Sequence, residues 1–160
     1  MASASAPPQL ERATVDFLRR YAPFNAMEEG ALRLVAGSLK LAYYEKGAIV
    51  AAPSQGAAQT LHLIQRGLVH SRAGAGAEER VDFEYGVGEM FPLNALLGAR
   101  ATTGVYQAVE DVFCYELGRE AVEELMRASP EFRHFATRHM DSLLQQARGA
   151  LRSAYGAETL

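Results

Sequence analysis

Residues 60–117 read TLHLIQRGLVHSRAGAGAEERVDFEYGVGEMFPLNALLGARATTGVYQAVEDVFCYEL, and their texture decides the fold. Short runs, TLHLIQ (60–65), LVHS (68–71), RVDFEY (80–85), VYQAV (105–109) and VFCYEL (112–117), are cut by Arg66-Gly67, Gly74-Ala75-Gly76 and Gly86-Val87-Gly88. Apolar, β-branched and aromatic residues in runs of that length, separated by glycine turns, predict antiparallel strands in a sandwich or barrel rather than a parallel sheet. Toward the N-terminus LAYY (41–44) and AIVA (48–51) continue the rhythm, with turns at Lys46-Gly47 and Pro53 to Gly56. A β-roll over about 41–117 is expected.

Outside this stretch the period changes. Val15, Phe17, Leu18 and Tyr21, then Met27, Leu32, Leu34, Val35 and Leu39, recur at helical spacing on either side of Pro23, which predicts helices near 10–20 and 26–39. Helical spacing returns at Arg119, predicting helices near 119–128 and 130–155. The second opens at Ser129-Pro130-Glu131, an N-cap, a first-turn proline and a first-turn acid. Ala136, Met140, Leu143, Ala147 and Ala150 step by four and three along it. That stripe is either a homodimer seam, centred on Met140, Leu143 and Ala147, or a face packed on the roll. The expected organisation is a disordered leader at 1–8, a roll with its N-terminal helices at 9–130, and a C-terminal helix and tail at 131–160 for dimerisation or linkage.

Composition narrows the function classes. The 160 residues suffice for one domain with a real core, and 49% hydrophobic against 22% charged is a globular balance. A net charge of −3 argues against a grip on a nucleic-acid backbone. The longest stretch without Asp, Glu, Lys or Arg, Gly47 to Gln65, holds too many polar residues to span a membrane. The start MASASAPPQL has neither a basic nor an apolar signal region, and one cysteine makes no internal disulfide, so the cytoplasm is the expected compartment.

One segment breaks the strand rhythm: Gly88-Glu89-Met90-Phe91-Pro92-Leu93-Asn94-Ala95-Leu96-Leu97-Gly98-Ala99-Arg100. A short helix starting after Pro92 leaves free backbone amides near Leu93, Asn94 and Ala95, a natural anion cradle. Arg100 offers a guanidinium for a phosphate, and Glu89 an acceptor for a hydroxyl. Gly88, Glu89, Leu93, Asn94, Ala95, Arg100, Thr102 and Thr103 are the candidate ligand-binding residues, with no catalytic residue and no metal site expected.

With these residues in place the chain resembles the cyclic-nucleotide-binding domain family over about residues 16–140. FLRRYAPFNAM (17–27) is similar to its opening helix, followed by YYEKGAIV (43–50) and by TLHLIQRGLV (60–69) with its turn glycine Gly67. VGEMFPLNALLGARATT (87–103) is similar to its phosphate-binding cassette, and VYQAVEDVFCYEL (105–117) to its closing strands. The resemblance implies an eight-stranded, jelly-roll-like β-roll flanked by helices, with cyclic AMP or another nucleotide as ligand and a C-terminal helix that relays its presence. Family cassettes place an arginine nine or ten residues after the acid, whereas Arg100 follows Glu89 by eleven. Either the extra residues bulge after Arg100 and it reaches a phosphate, or Arg100 is carried outward and Thr102 or Thr103 lines the pocket. EMFPLNALLGAR and the ending LLQQARGALRSAYGAETL further resemble a variant domain found in bacterial signal-transduction proteins ahead of CBS and nucleotidyltransferase-like domains. Downstream domains of a longer protein are then implied partners.

Other chemistry-bearing residues read as structural. His62 and His70 lack the paired spacing and glutamate of a cupin metal centre, and are expected to be partly buried or at the surface. Cys114, in an apolar strand without an adjacent His or Lys, reads as a core thiol. Glu110-Asp111 and Glu123-Glu124 are sequence neighbours that do not face one pocket, and Gly74 to Ala77 is a hairpin turn without a phosphate-loop lysine. The expected function is a non-enzymatic regulatory sensor. Its rivals are a ligand-free structural or dimerisation domain and a cupin-like jelly-roll enzyme.

Overall fold

The change from helical to period-two spacing at Lys40, and back at Arg119, is where the computed structural model changes element type. It describes residues 8–73, 81 and 83–139. Helix α1 (Pro8–Leu18), a 3-10 turn at Phe24–Ala26 and α2 (Glu29–Ser38) precede eight strands: β1 (Lys40–Tyr44), β2 (Ile49–Ala51), β3 (Thr60–Arg66), β4 (Val69–Ala73), β5 (Phe83–Tyr85), β6 (Met90–Phe91), β7 (Gly104–Ala108) and β8 (Val112–Gly118). Helix α3 (Leu93–Leu97) sits between β6 and β7, α4 (Arg119–Ala128) follows β8, and residues 130–139 form the described part of α5. Pro8 belongs to α1 rather than to the leader. Residues 1–7 and 140–160, with the seam residues Met140, Leu143 and Ala147, lie outside the described residues.

The strands make two four-stranded sheets, ordered β1-β8-β3-β6 and β2-β7-β4-β5, and every pairing among the described residues is antiparallel. This is the jelly-roll-like β-roll with flanking helices. Side chains alternate across the first sheet and divide its neighbours into two cores. On one face Leu61, Leu63, Met90 and Leu117 pack with Val15, Leu18, Leu32, Val122 and Phe132 of the helices. On the other, Ile64, Phe91, Val112 and Cys114 meet Val50, Val69, Tyr85 and Ala108 inside the roll.

Inside the roll, aromatic rings cross from sheet to sheet. Phe91 of β6 stacks on His62 of β3 at 5.2 Å and on Tyr106 of β7 at 4.8 Å, and meets Tyr85 of β5 at 5.2 Å. The β3–β4 turn needs Gly67, whose φ is +107° and whose Cβ would lie 2.5 Å from the Asp111 carbonyl oxygen. Between α4 and α5, Ser129 caps the new helix, its Oγ accepting from the Phe132 amide at 3.1 Å. The Arg133 guanidinium donates to the last carbonyls of α4, Met126 and Arg127, at 2.9 and 2.8 Å. Complementary end groups thus hold the two helices in register.

Phe91→Ala is expected to destabilise the domain by about 3–5 kcal/mol, because it removes both ring stacks and leaves a cavity. Gly67→Ala should cost about 2–4 kcal/mol through the backbone overlap and the left-handed conformation. Leu34→Ala, at a side chain 74% exposed, should shift stability by less than about 0.5 kcal/mol. Urea denaturation followed by circular dichroism measures all three.

Candidate functional site

A cavity of about 240 Å³ opens between the cassette and the inner faces of the sheets. Its wall is the 55–60 segment with Val50 to Ala52 of β2 and the loop after it. Its floor is Tyr44, His62 and Glu116, and the cassette closes it with Pro92 and Thr102. His62 lies on the inner face of β3 directly opposite Glu116 of β8. Its Nδ1 donates to Glu116 Oε2 at 2.9 Å, and the Tyr44 hydroxyl donates to the same oxygen at 2.5 Å. Cys114, two residues before Glu116 and therefore on the same face, places its Sγ 3.8 Å from His62 Nδ1.

This cluster sets its own electrostatics. The His62 hydrogen bond is the largest influence on Glu116 and holds its carboxyl below the ordinary range; burial opposes this and the Tyr44 hydroxyl assists it. Burial, then the hydrogen bond to Glu116, raises the Tyr44 phenol. Burial, with the Glu116 carboxylate adding to it, pushes the Cys114 thiol up to about 12. Cys114 is therefore a thiol rather than a nucleophilic thiolate at neutral pH. The described lining holds one carboxylate and no lysine or arginine.

The cassette takes part in the cavity differently from the sequence-derived list. Helix α3 does begin at Leu93, directly after Pro92, with Leu93, Ala95 and Leu96 buried. Asn94 is half-buried, and its Oδ1 is enclosed without a hydrogen-bond partner. Thr102 is buried, lines the cavity and donates through its hydroxyl to the Gly104 carbonyl at 2.8 Å. Thr103 is exposed.

Arg100 is also exposed and absent from the described lining, its side chain folded back over Gly98. Gly88, at φ +87°, carries the turn before β6 beneath the Tyr21 ring. Glu89 points away from the cavity, its Oε1 accepting from the Gly86 amide at 2.9 Å. The Glu89 carboxylate also acts on His139 of α5, whose imidazole burial pushes down and Glu89 pulls back up. Thr102 thus reaches the cavity, whereas Glu89 and Arg100 do not meet there.

The cavity's strongest polar groups, Tyr44, His62 and Glu116, are outside the sequence-derived site, and His62 is buried where the sequence predicts a partly buried or surface histidine. A histidine next to Cys114 exists as well, across the sheet rather than along the chain. One signal was available: a polar residue in the middle of TLHLIQ, a run apolar on both faces, must find a buried partner. Its partner belongs to a strand far away in sequence, so only the register identifies it.

No family model and no curated protein matches the chain. Solved structures do. The chain superimposes on Thermus thermophilus catabolite activator protein with a TM-score of 0.71 and 26% identity, covering 82% of this chain and 62% of that one. The regulatory domain of Toxoplasma gondii PKA, crystallised with cAMP, gives a TM-score of 0.66 and 22% identity over 74% of this chain and 45% of that one. The sensor domain of the transcriptional regulator DNR from Pseudomonas aeruginosa gives 0.74 and 15% over 88% and 95%. The chain therefore spans about half the length of the first two of these.

The Glu116 pairing carries a pH signature. Because its folded carboxyl is depressed, the stabilisation is complete above the ordinary value near 4.5 and is lost as pH falls through the lower folded value. Glu116→Gln is expected to lose about 1–2 kcal/mol at pH 7 and to show a shallower loss of stability below pH 4.5. Urea midpoints measured across that range check both.

Proposed function

The chain has the fold of the cyclic-nucleotide-binding domains, and from that premise we propose that it is a non-enzymatic, cytoplasmic regulatory module that senses a small ligand and relays its presence through the C-terminal helices. The observation that carries this reading is the wiring of the cavity wall. Ala58 donates its amide to the Arg100 carbonyl at 2.9 Å, which ties the wall to the end of the cassette. One residue on, the Gln59 carbonyl accepts from the Arg119 amide, the first of α4, at 2.8 Å. A ligand that holds or displaces this segment acts on the cassette and on α4 together, and Arg133 and Ser129 carry the displacement into α5.

The cavity chemistry selects the ligand. A cyclic phosphate placed there would face the Glu116 carboxylate without a compensating guanidinium, and such a charge-assisted pair is worth roughly 1.5–3 kcal/mol. The cavity, at about 240 Å³, is also below the roughly 300 Å³ at which pockets for drug-sized ligands begin. A neutral or cationic molecule with hydrogen-bond donors for Glu116, the size of a nucleobase or smaller, suits it better than cyclic AMP. The receiver of the signal is a second copy joined through the helix after Pro130 or a following domain, of which the CBS and nucleotidyltransferase-like arrangement is one form.

Calorimetric titration with cyclic AMP is expected to give no micromolar binding, in the wild type or in Arg100→Ala. Micromolar binding that the substitution abolishes would instead make Arg100 a phosphate clamp. A thermal-shift screen of nucleobases, nucleosides and small amines should then find a stabilising ligand that changes hydrogen exchange of the Arg119 amide. A ligand that binds in the cavity without altering that exchange would refute the relay.

A further inference from the structure

The polar cluster beneath the cavity has a composition that a hydrogen-bond network does not need. His62, Cys114 and Glu116 present a nitrogen, a sulfur and a carboxylate oxygen, all lying within 4.8 Å of one another. They come from two adjacent strands in fixed register, with His62 opposite Glu116 and Ile64 opposite Cys114. Val50, Ile64, Val69 and Val112 pack around the cluster as apolar neighbours on that inner surface. We propose that His62 Nδ1, Cys114 Sγ and one Glu116 oxygen bind a single divalent transition-metal ion of the Zn²⁺ class, with the fourth position facing the cavity.

Metal–nitrogen and metal–oxygen bonds near 2.0 Å and a metal–sulfur bond near 2.3 Å separate tetrahedral ligands by about 3.3–3.6 Å. The observed separations, 2.9 Å from nitrogen to oxygen and 3.8 Å from nitrogen to sulfur, flank that range, so side-chain shifts below an ångström bring these two pairs into it. The thiolate disfavours Mg²⁺ and Ca²⁺, and the mixed nitrogen, sulfur and oxygen set suits Zn²⁺. Supporting contacts are in place: the His62 ring is stacked on Phe91, and the Tyr44 hydroxyl donates to Glu116. Both His62 and Glu116 line the cavity, which gives the ion its path.

Proton and charge balance are simple. The Cys114 thiol gives its proton to solvent, and the proton on His62 Nδ1 must move to Nε2 or leave to solvent before that nitrogen can bind the ion. The ion keeps its oxidation state, and the thiolate and carboxylate neutralise its two charges. This site goes beyond the sensor reading: the ligand preference argued above is that of the metal-free cavity, the cobalt test requires no organic ligand, and its failure leaves the wall-to-helix relay untouched.

Cobalt substitution tests it. Cys114 is the single cysteine of the chain, so a thiolate-to-cobalt charge-transfer band reports this site alone. One equivalent of Co²⁺ added to the full chain is expected to give that band together with the visible absorption of a four-coordinate ion, both displaced by Zn²⁺. Cys114→Ser should remove the charge-transfer band, while Glu116→Gln and His62→Gln should each weaken Co²⁺ binding about tenfold or more. Circular dichroism of the metal-free variants confirms that they fold, and if Cys114→Ser does not fold, the other two decide. Absence of the band in the folded wild type at micromolar Co²⁺ overturns the proposal. So does a band whose affinity is the same in the wild type, Glu116→Gln and His62→Gln.

Discussion

Strand β3 is buried on both faces, and the rest of the domain is arranged around that constraint. Leu61 and Leu63 face the helices, while His62 and Ile64 face the interior of the roll. A strand in this position cannot leave a polar group without a partner, because an unsatisfied buried donor costs about 1–3 kcal/mol. His62 therefore dictates what stands opposite it. Glu116 answers its nitrogen, Phe91 covers its ring, and through Phe91 the second sheet is bound to the first by Tyr106. The floor of the cavity is thus part of the contact that holds the two sheets together.

The cassette shows how one loop can keep its backbone form while its side chains do different work. A proline, a five-residue helix and a return to strand are all present. The acid and the arginine that a phosphate site would bring together have separated. Glu89 closes its own turn and acts on α5, and Arg100 lies in solvent over Gly98. Of the cassette, Pro92 and Thr102 line the cavity, Thr102 already bonded to Gly104, and the one carboxylate of the described lining is that of Glu116. The half-buried Glu116 carboxylate disfavours an anionic ligand there, with Lys40, opposite it on β1, offsetting part of its charge.

The proposed relay out of the cavity rests on backbone contacts. Residues 58 and 59 face two ways, one bonded to the cassette and the next to the start of α4. These are two hydrogen bonds on adjacent residues, so a displacement of the wall would act on both ends. Helix α5 is reached through side-chain caps at Ser129 and Arg133, and through Phe132, whose ring lies 6.4 Å from that of Phe24. The N-terminal turn and the C-terminal helix consequently share one apolar core with the outer face of β3.

Local chemistry made much of this legible in the sequence. The period-two runs and glycine turns gave the strands to within a few residues, and Gly67 marked a turn that allows no Cβ. Ser129 and Pro130 marked a helix start, and Pro92 marked α3; each depends on residues a few positions apart and so is written in the order of the chain. The two-residue strand β6 was hidden inside the turn-to-helix segment, because two residues carry no period. The site was hidden for another reason. That His62 meets Glu116 and Cys114, that Arg100 turns outward, and that the cavity carries an acid in place of a base follow from the pairing of β3 with β8 and the path of the chain after α3. Those are long-range choices of register, made by the packing of two cores against one strand, and residue spacing along the sequence does not contain them.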